Sequence, residues 1–229
     1  MRVLAIDTST TRIVTGVLDY TGDAIATVAE KSVPGQVSHG ELLAPNIQEV
    51  LFRTRVTPQE LDAVVVGLGP GPYTGLRVGI VTGASMADAL KIPAYGVCSL
   101  DAVAARSSSA VLVVSDARRK EIYYGVYDGR GERVAGPDVG KPDRVLEDVR
   151  RFEVATVLNA GADKYLDQLA ELGVPIEETF PTAESLLRTA LRTDAFGASP
   201  EPLTPLYLRR PDAKLPAAQG KSRNTLGGR

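Results

Sequence analysis

Asp7-Thr8-Ser9-Thr10-Thr11 follows the apolar stretch at 3–6 and sets one carboxylate beside four hydroxyls. A carboxylate there could orient magnesium or a nucleophile, and the hydroxyls could meet phosphate oxygens. The run has neither glycine, which would let backbone approach a phosphate closely, nor lysine, which would supply a point charge. It reads better as a hydroxyl-rich turn in which Asp7 caps local amides. The next candidate is GLGPGPYTGLRVG, a glycine-rich junction starting at Gly67. Free amides at such a junction can cradle an anion. Here Pro70 and Pro72 each delete an amide, no Lys-Ser or Lys-Thr follows, and Thr74 stands where the third glycine of a dinucleotide fingerprint belongs. The expectation is a rigid structural turn.

His39 is the only histidine, which excludes a two-histidine zinc helix, and nothing local pairs it with a nucleophile. Ser38 and Glu41 around it match a capping box. Cys98 is the only cysteine, so the chain can form neither an intrachain disulfide nor a cysteine cage for a metal. It reads as a small buried hydrophobe. From these residues we expect no catalytic group, no cofactor and no metal.

The elements that must position these residues come from an internal repeat. LAIDTSTTRIVTGVLDYTGD from Leu4 and VVSDARRKEIYYGVYDGRGE from Val113 align without a gap at an offset of 109, with identities at Asp7/Asp116, Ile13/Ile122, Gly16/Gly125, Val17/Val126, Asp19/Asp128 and Gly22/Gly131. Each copy reads as a strand ending in Asp, a polar turn, a returning strand and a glycine turn. The first copy continues with a helix from Ser38 to Thr54, the strand DAVVVGLG and a helix ending near Leu90. The second continues with a helix at Asp143 to Arg151, the strand VATVLNAG and a helix at Tyr165 to Leu172. The expected organisation is a lobe at 1–104, with a segment near 200–212 packing back on it, a second lobe at 105–199, and a disordered tail at 213–229. A basic arm contacting RNA is the sharper alternative for that tail. Such duplicated α/β lobes resemble the actin/Hsp70/sugar-kinase (ASKHA) type.

The helix from Gly75 to Leu90 carries only two charges, Arg77 and Asp88, and repeats Gly75, Gly79, Gly83 and Ala87 every four residues. A helix without a polar face is covered on all sides. The preceding helix offers Leu43, Ile47, Val50 and Leu51 at helical spacing, with Leu42 and Pro45 elsewhere on its surface. Side by side, the two could present half of a four-helix bundle to another protein. The net charge of −2 argues against holding nucleic acid by a general field. The chain has no apolar run long enough to span a bilayer, and cytoplasmic residence is the expectation.

Taken together, LAIDTST, SHGELLAPNI, GLGPGPYTGLRVG, YGVCSLDAVA, DARRKEIYYGVY and PLYLRRPDA make the chain resemble the TsaB (YeaZ) family almost end to end. It departs at Gly40, where the family more often has Ser, and at Pro72-Tyr73, where a Ser-Phe or Ser-Tyr pair is usual. The resemblance implies a non-catalytic subunit supporting a TsaD-like threonylcarbamoyltransferase that modifies the adenosine next to the anticodon of transfer RNA. It also implies a TsaE-like ATPase in the assembly, a homodimer when alone, and only indirect contact with transfer RNA. The partner surface it implies comprises His39, Leu42, Leu43, Ile47, Arg77, Ile80, Val81 and Ala84. The competing readings are an ATPase or small-molecule kinase working in the cleft through Asp7 or Asp116, a glycoprotease-like peptidase, and a self-contained homodimeric scaffold.

Overall fold

A computed structural model describes residues 1–22, 24–35, 39–193, 196 and 199–209, with His39 described in its backbone only. The first apolar run forms β1 (Arg2–Asp7), antiparallel to β2 (Arg12–Tyr20), which pairs in turn with β3 (Ile25–Pro34). Helix α1 (His39–Thr54) leads to β4 (Ala63–Gly67), and α2 (Tyr73–Leu90) leads to β5 (Ala94–Val97). The last two strands join parallel, giving the order β3-β2-β1-β4-β5. β4, covered on both faces, is buried along its whole length, as its near-continuous valines require.

α3 (Ser99–Ala104) leads into a second sheet built the same way. β6 (Val111–Asp116), β7 (Ile122–Tyr127) and β8 (Arg133–Gly140) form an antiparallel meander. α4 (Pro142–Val149) leads to β9 (Thr156–Asn159), and the short α5 (Leu166–Leu169) leads to β10 (Ile176–Glu178). The order β10-β9-β6-β7-β8 reproduces the first sheet strand for strand. Two α/β lobes of one topology, the ASKHA arrangement, follow from the duplicated sequence.

The repeat is not in one register throughout. Asp7 pairs with Val14, so residues 8–13 form the first connection; Asp116 pairs with Ile122, so residues 117–121 form the second, one residue fewer. The sheet faces show which strand absorbs the difference. Ile13 and Val17 of β2 face the core beneath α1 and α2, as Ile122 and Val126 of β7 face the core beneath α4 and α5, in keeping with an offset of 109. On the first strands, Leu4 and Ile6 correspond by face to Leu112 and Val114, an offset of 108. The expected equivalence of Asp7 and Asp116 is therefore corrected. Both end their strands, but Asp7 matches Ser115, and Asp116 points to the opposite face, because a one-residue slip reverses every side chain on a strand.

α6 (Ala183–Arg192) lies in the stretch assigned above to the second lobe, yet Ala183, Leu186, Leu187 and Ala190 pack against Val3, Ala5, Leu18 and Val65 of the first sheet. The chain then runs back along the first lobe. Leu203 packs on the core under α1 and α2, Leu206 N–H donates to the Leu68 carbonyl (2.9 Å), and Tyr207 stacks on Tyr73. Arg209 reaches the second lobe, donating to the Ala117 carbonyl (3.0 Å) and pairing with Glu121. The expected disordered tail at 213–229, with its RNA-arm alternative, and Ser38 of the expected capping box lie outside the described residues.

Candidate functional site

Between the lobes opens a cleft of about 690 Å³, lined by Ser9, Thr10 and Thr11 from the first hairpin, Thr74 from the start of α2, and Asp116 and Lys164 from the second lobe. Asp7 is not on its wall. It is fully buried, and its Oδ1 accepts from the Ser9 amide (2.9 Å) and the Ser9 hydroxyl (2.8 Å) while Oδ2 accepts from the Ser99 hydroxyl (2.5 Å). A Cβ on Gly67 would fall 1.8 Å from Oδ2, so β4 closes over the carboxylate only because residue 67 has no side chain. Ser99 Oγ in turn accepts from the Gly69 amide (3.1 Å). Asp7 thus ties the ends of β1 and β4 to the start of α3, the local-amide role expected of it extended to a longer-range anchor.

Thr8 is also engaged. Its hydroxyl donates to the Gly75 carbonyl (2.8 Å) and accepts from the Gly79 amide (3.1 Å), so the hairpin is plugged into the first turns of α2. The glycine-rich junction has a packing explanation of the same kind. A Cβ on Gly71 would lie 2.2 Å from the Ser9 carbonyl oxygen, and one on Gly79 would lie 2.3 Å from Thr8 Oγ1. Glycine lets the Ser9 backbone close on residue 71 and the Thr8 side chain close on residue 79.

Asp116 faces the cleft and is paired with Lys164 Nζ at 2.8 Å, with Arg118 Nε at 4.0 Å. The hydrogen bond to Asp116 is the main cause raising the Lys164 ammonium above its ordinary value, so that side chain stays cationic. Desolvation pushes the Cys98 thiol up to about 12, which leaves it a packing group rather than a thiolate. No group of three or more His, Cys, Asp or Glu among the described residues is placed to hold a metal ion.

The second candidate surface is the outer side of α1 and α2, which pack against each other. The glycine stripe of α2 does not face outward. Gly79 sits over Thr8, Gly83 would bring a Cβ within 2.5 Å of Val66 Cγ2, and Ala87 is buried. Leu43, Ile47 and Ile80 (6% exposed) belong to the core of their own lobe, correcting the expectation that Ile80 faces away from it. Leu42 is half-buried. Arg77, Val81 (58% exposed) and Ala84 are open to solvent, and the His39 side chain lies outside the described residues. Sequence reasoning missed Phe52 of α1, at 85% the most exposed large apolar side chain among the described residues. It stands off the Leu43-Ile47-Val50 stripe by helical phase, a signal that the sequence does carry. With Pro45 on α1 and Val81 and Ala84 on α2, it gives the helix pair apolar groups beyond those its core needs.

The profile of the family described as TsaD, tRNA N6-adenosine threonylcarbamoyltransferase, matches residues 33–165. The TsaB protein of Escherichia coli is 28% identical, over 96% of this chain and all of its own length. A YeaZ-like structure from Pseudomonas aeruginosa superposes with a TM-score of 0.75 at 27% identity, covering 91% of this chain and 99% of that one. The chain belongs to the TsaB (YeaZ) family. An uncharacterized protein of Mycobacterium leprae is 44% identical over 93% of this chain, which spans 56% of that longer relative. Asp7, Thr8 and the glycine junction assemble the first lobe, and the helix pair carries its exposed apolar groups. No helix among the described residues is long and apolar enough to cross a membrane.

Proposed function

We propose that this chain is a non-catalytic subunit in the biosynthesis of threonylcarbamoyladenosine in transfer RNA, binding and supporting a TsaD-like transferase through the outer face of α1 and α2. The observation that carries this reading is the pairing of an unusually exposed apolar helix face with a first-lobe carboxylate that is consumed by structure. Phe52, Val81, Ala84 and Arg77 supply the contact, and Leu43, Ile47 and Ile80 hold the helices that present them. Burying Phe52 and Val81 against a partner contributes about 1.5–3 kcal/mol each. The same face serves a homodimer when the transferase is absent, and a TsaE-like ATPase completes the assembly in the cytoplasm.

One observation favours a second reading. Asp116 opens on the cleft beside Lys164, where a phosphotransfer or ATPase site would place its groups. Reconstitution separates the two. The pure chain is expected to hydrolyse no ATP and to transfer no threonylcarbamoyl group, while adding it to the TsaD-like enzyme stimulates modification, and Asp116→Ala leaves that stimulation intact. Turnover by the pure chain that disappears in Asp116→Ala would overturn the non-catalytic reading.

A further inference from the structure

The chain crosses between the lobes at 105–110 and again at 179–182. Both crossings lie beside α3, which packs on each lobe: Ala102 joins the core of the first sheet, while Leu100, Val103 and Ala104 join that of the second together with Phe180. Arg106 fastens the two crossings to each other by donating to the Phe180 carbonyl (3.1 Å). A third link spans the mouth of the cleft. Tyr73 lines the cleft on the first lobe and carries the stacked Tyr207 ring (5.2 Å between centroids), with Arg77 donating to the Tyr73 hydroxyl (2.6 Å). Two residues further on, Arg209 holds the second lobe at the Ala117 carbonyl and Glu121, and the neighbours of Ala117, Asp116 and Arg118, line the cleft from that side.

The two ends of this link are unequal. On the first lobe it is held by the packing of Leu203, the bond from Leu206 N–H to the Leu68 carbonyl (2.9 Å) and the ring stack. On the second lobe it is held by one half-buried guanidinium. Extended chain covers only about 3.5 Å per residue, so the two steps from Tyr207 to Arg209 leave little slack for the lobes to part while both ends hold. An ion pair that water can reach is weak, which makes Arg209 the end that lets go. We propose that residues 206–209 form a latch across the mouth of the interlobe cleft, closed by Arg209 on the turn at 117–121, and that its release lets the lobes open about α3. The latch sets the separation between the two walls of the cleft, with Thr74 on the first lobe and Asp116 and Lys164 on the second.

Double electron–electron resonance on the full chain tests this, with nitroxide labels at the exposed positions of Q48C on α1 and E147C on α4, in a C98S background. Dilution with unlabelled chain restricts the reading to distances within one molecule. The parent is expected to give one narrow distance distribution. Arg209→Gln should add a population at longer distance, raising its share at least about fivefold over the parent's. Glu121→Gln keeps the bond to the Ala117 carbonyl and should produce a smaller rise in the same population. Arg188→Gln removes an exposed ion pair with Glu184 that lies within α6, and should leave the parent's distribution unchanged. All three are expected to melt within about 4 °C of the parent, as loss of a solvent-accessible ion pair allows. If Arg209→Gln melts earlier than that, Glu121→Gln decides in its place. The proposal is overturned if the deciding variant keeps the parent's narrow distribution, if the parent is already as broad as that variant, or if Arg188→Gln opens the lobes as far.

Discussion

Asp7 lies sealed beneath β4 with hydrogen bonds from Ser9 and Ser99, while Asp116, at the end of the corresponding strand, faces an open cleft and holds Lys164. The two carboxylates occur in copies of one sequence pattern and differ by a single residue in the length of the turn that follows. That residue decides the face, and the face decides whether the carboxylate anchors the fold or meets solvent. A shared residue type at matching positions in a repeat is therefore not a shared role until the hairpin register is known.

The largest effect expected from this contrast is on stability. Asp7→Ala strands the buried Ser99 hydroxyl and the Ser9 amide and should cost about 3 kcal/mol or more, lowering the melting temperature by about 6–12 °C in a chain of this size. Asp116→Ala breaks a solvent-facing ion pair and should cost no more than about 1 kcal/mol. Thermal melts of the two variants side by side make the comparison, and equal losses would break it. Gly79→Ala comes next. Its Cβ must displace Thr8 Oγ1, so a loss of about 1–3 kcal/mol is expected, and Thr8→Ser in the same background, which removes a methyl group yet keeps the clashing hydroxyl, should restore little of it.

Much of the fold is legible in the residues. The duplicated meander, the positions of α1, β4 and α2, and the packing role of GLGPGPYTGLRVG follow from turn glycines, strand-end polarity and the prolines that delete amides. The one-residue slip is hidden because the chance identity of Asp7 with Asp116 extends the 109-residue alignment across a turn that is one residue shorter. α6 groups with the second lobe in sequence order, which carries no record of a chain returning to the first sheet. At the helix pair, the apolar excess on α2 does need cover, but its own sheet covers the glycine stripe, whose missing side chains let Thr8 and Val66 approach. Phe52 is easily overlooked because it is out of phase with the core-facing stripe that makes α1 recognisable.

The smallest predicted effect is electrostatic. Burial raises the Glu30 carboxyl above its ordinary value, partly offset by its hydrogen bond from the Ala183 amide (2.7 Å). A raised folded value means the folded chain binds that proton more tightly, so stability from this group is gained as pH falls through the folded value toward the unfolded one near about 4.5. At neutral pH the carboxylate is a small net cost. Glu30→Gln should leave neutral-pH melting unchanged or slightly higher and remove that acid-side gain. A clear loss at neutral pH would mean that the carboxylate's contact with the start of α6 outweighs its desolvation.

The central claim is that the chain acts by presenting the outer face of α1 and α2 to a TsaD-like partner. Val81→Glu tests it most directly, because Val81 is exposed on α2, whereas Ile80→Glu would strike the core and confound folding with binding. The measurement is the affinity of Val81→Glu for the TsaD-like transferase, with its melting temperature as control. The expected result is unchanged melting and affinity weakened about a hundredfold, equivalent to about 3 kcal/mol. A variant that melts like the parent and binds the transferase with the parent's affinity would contradict the account.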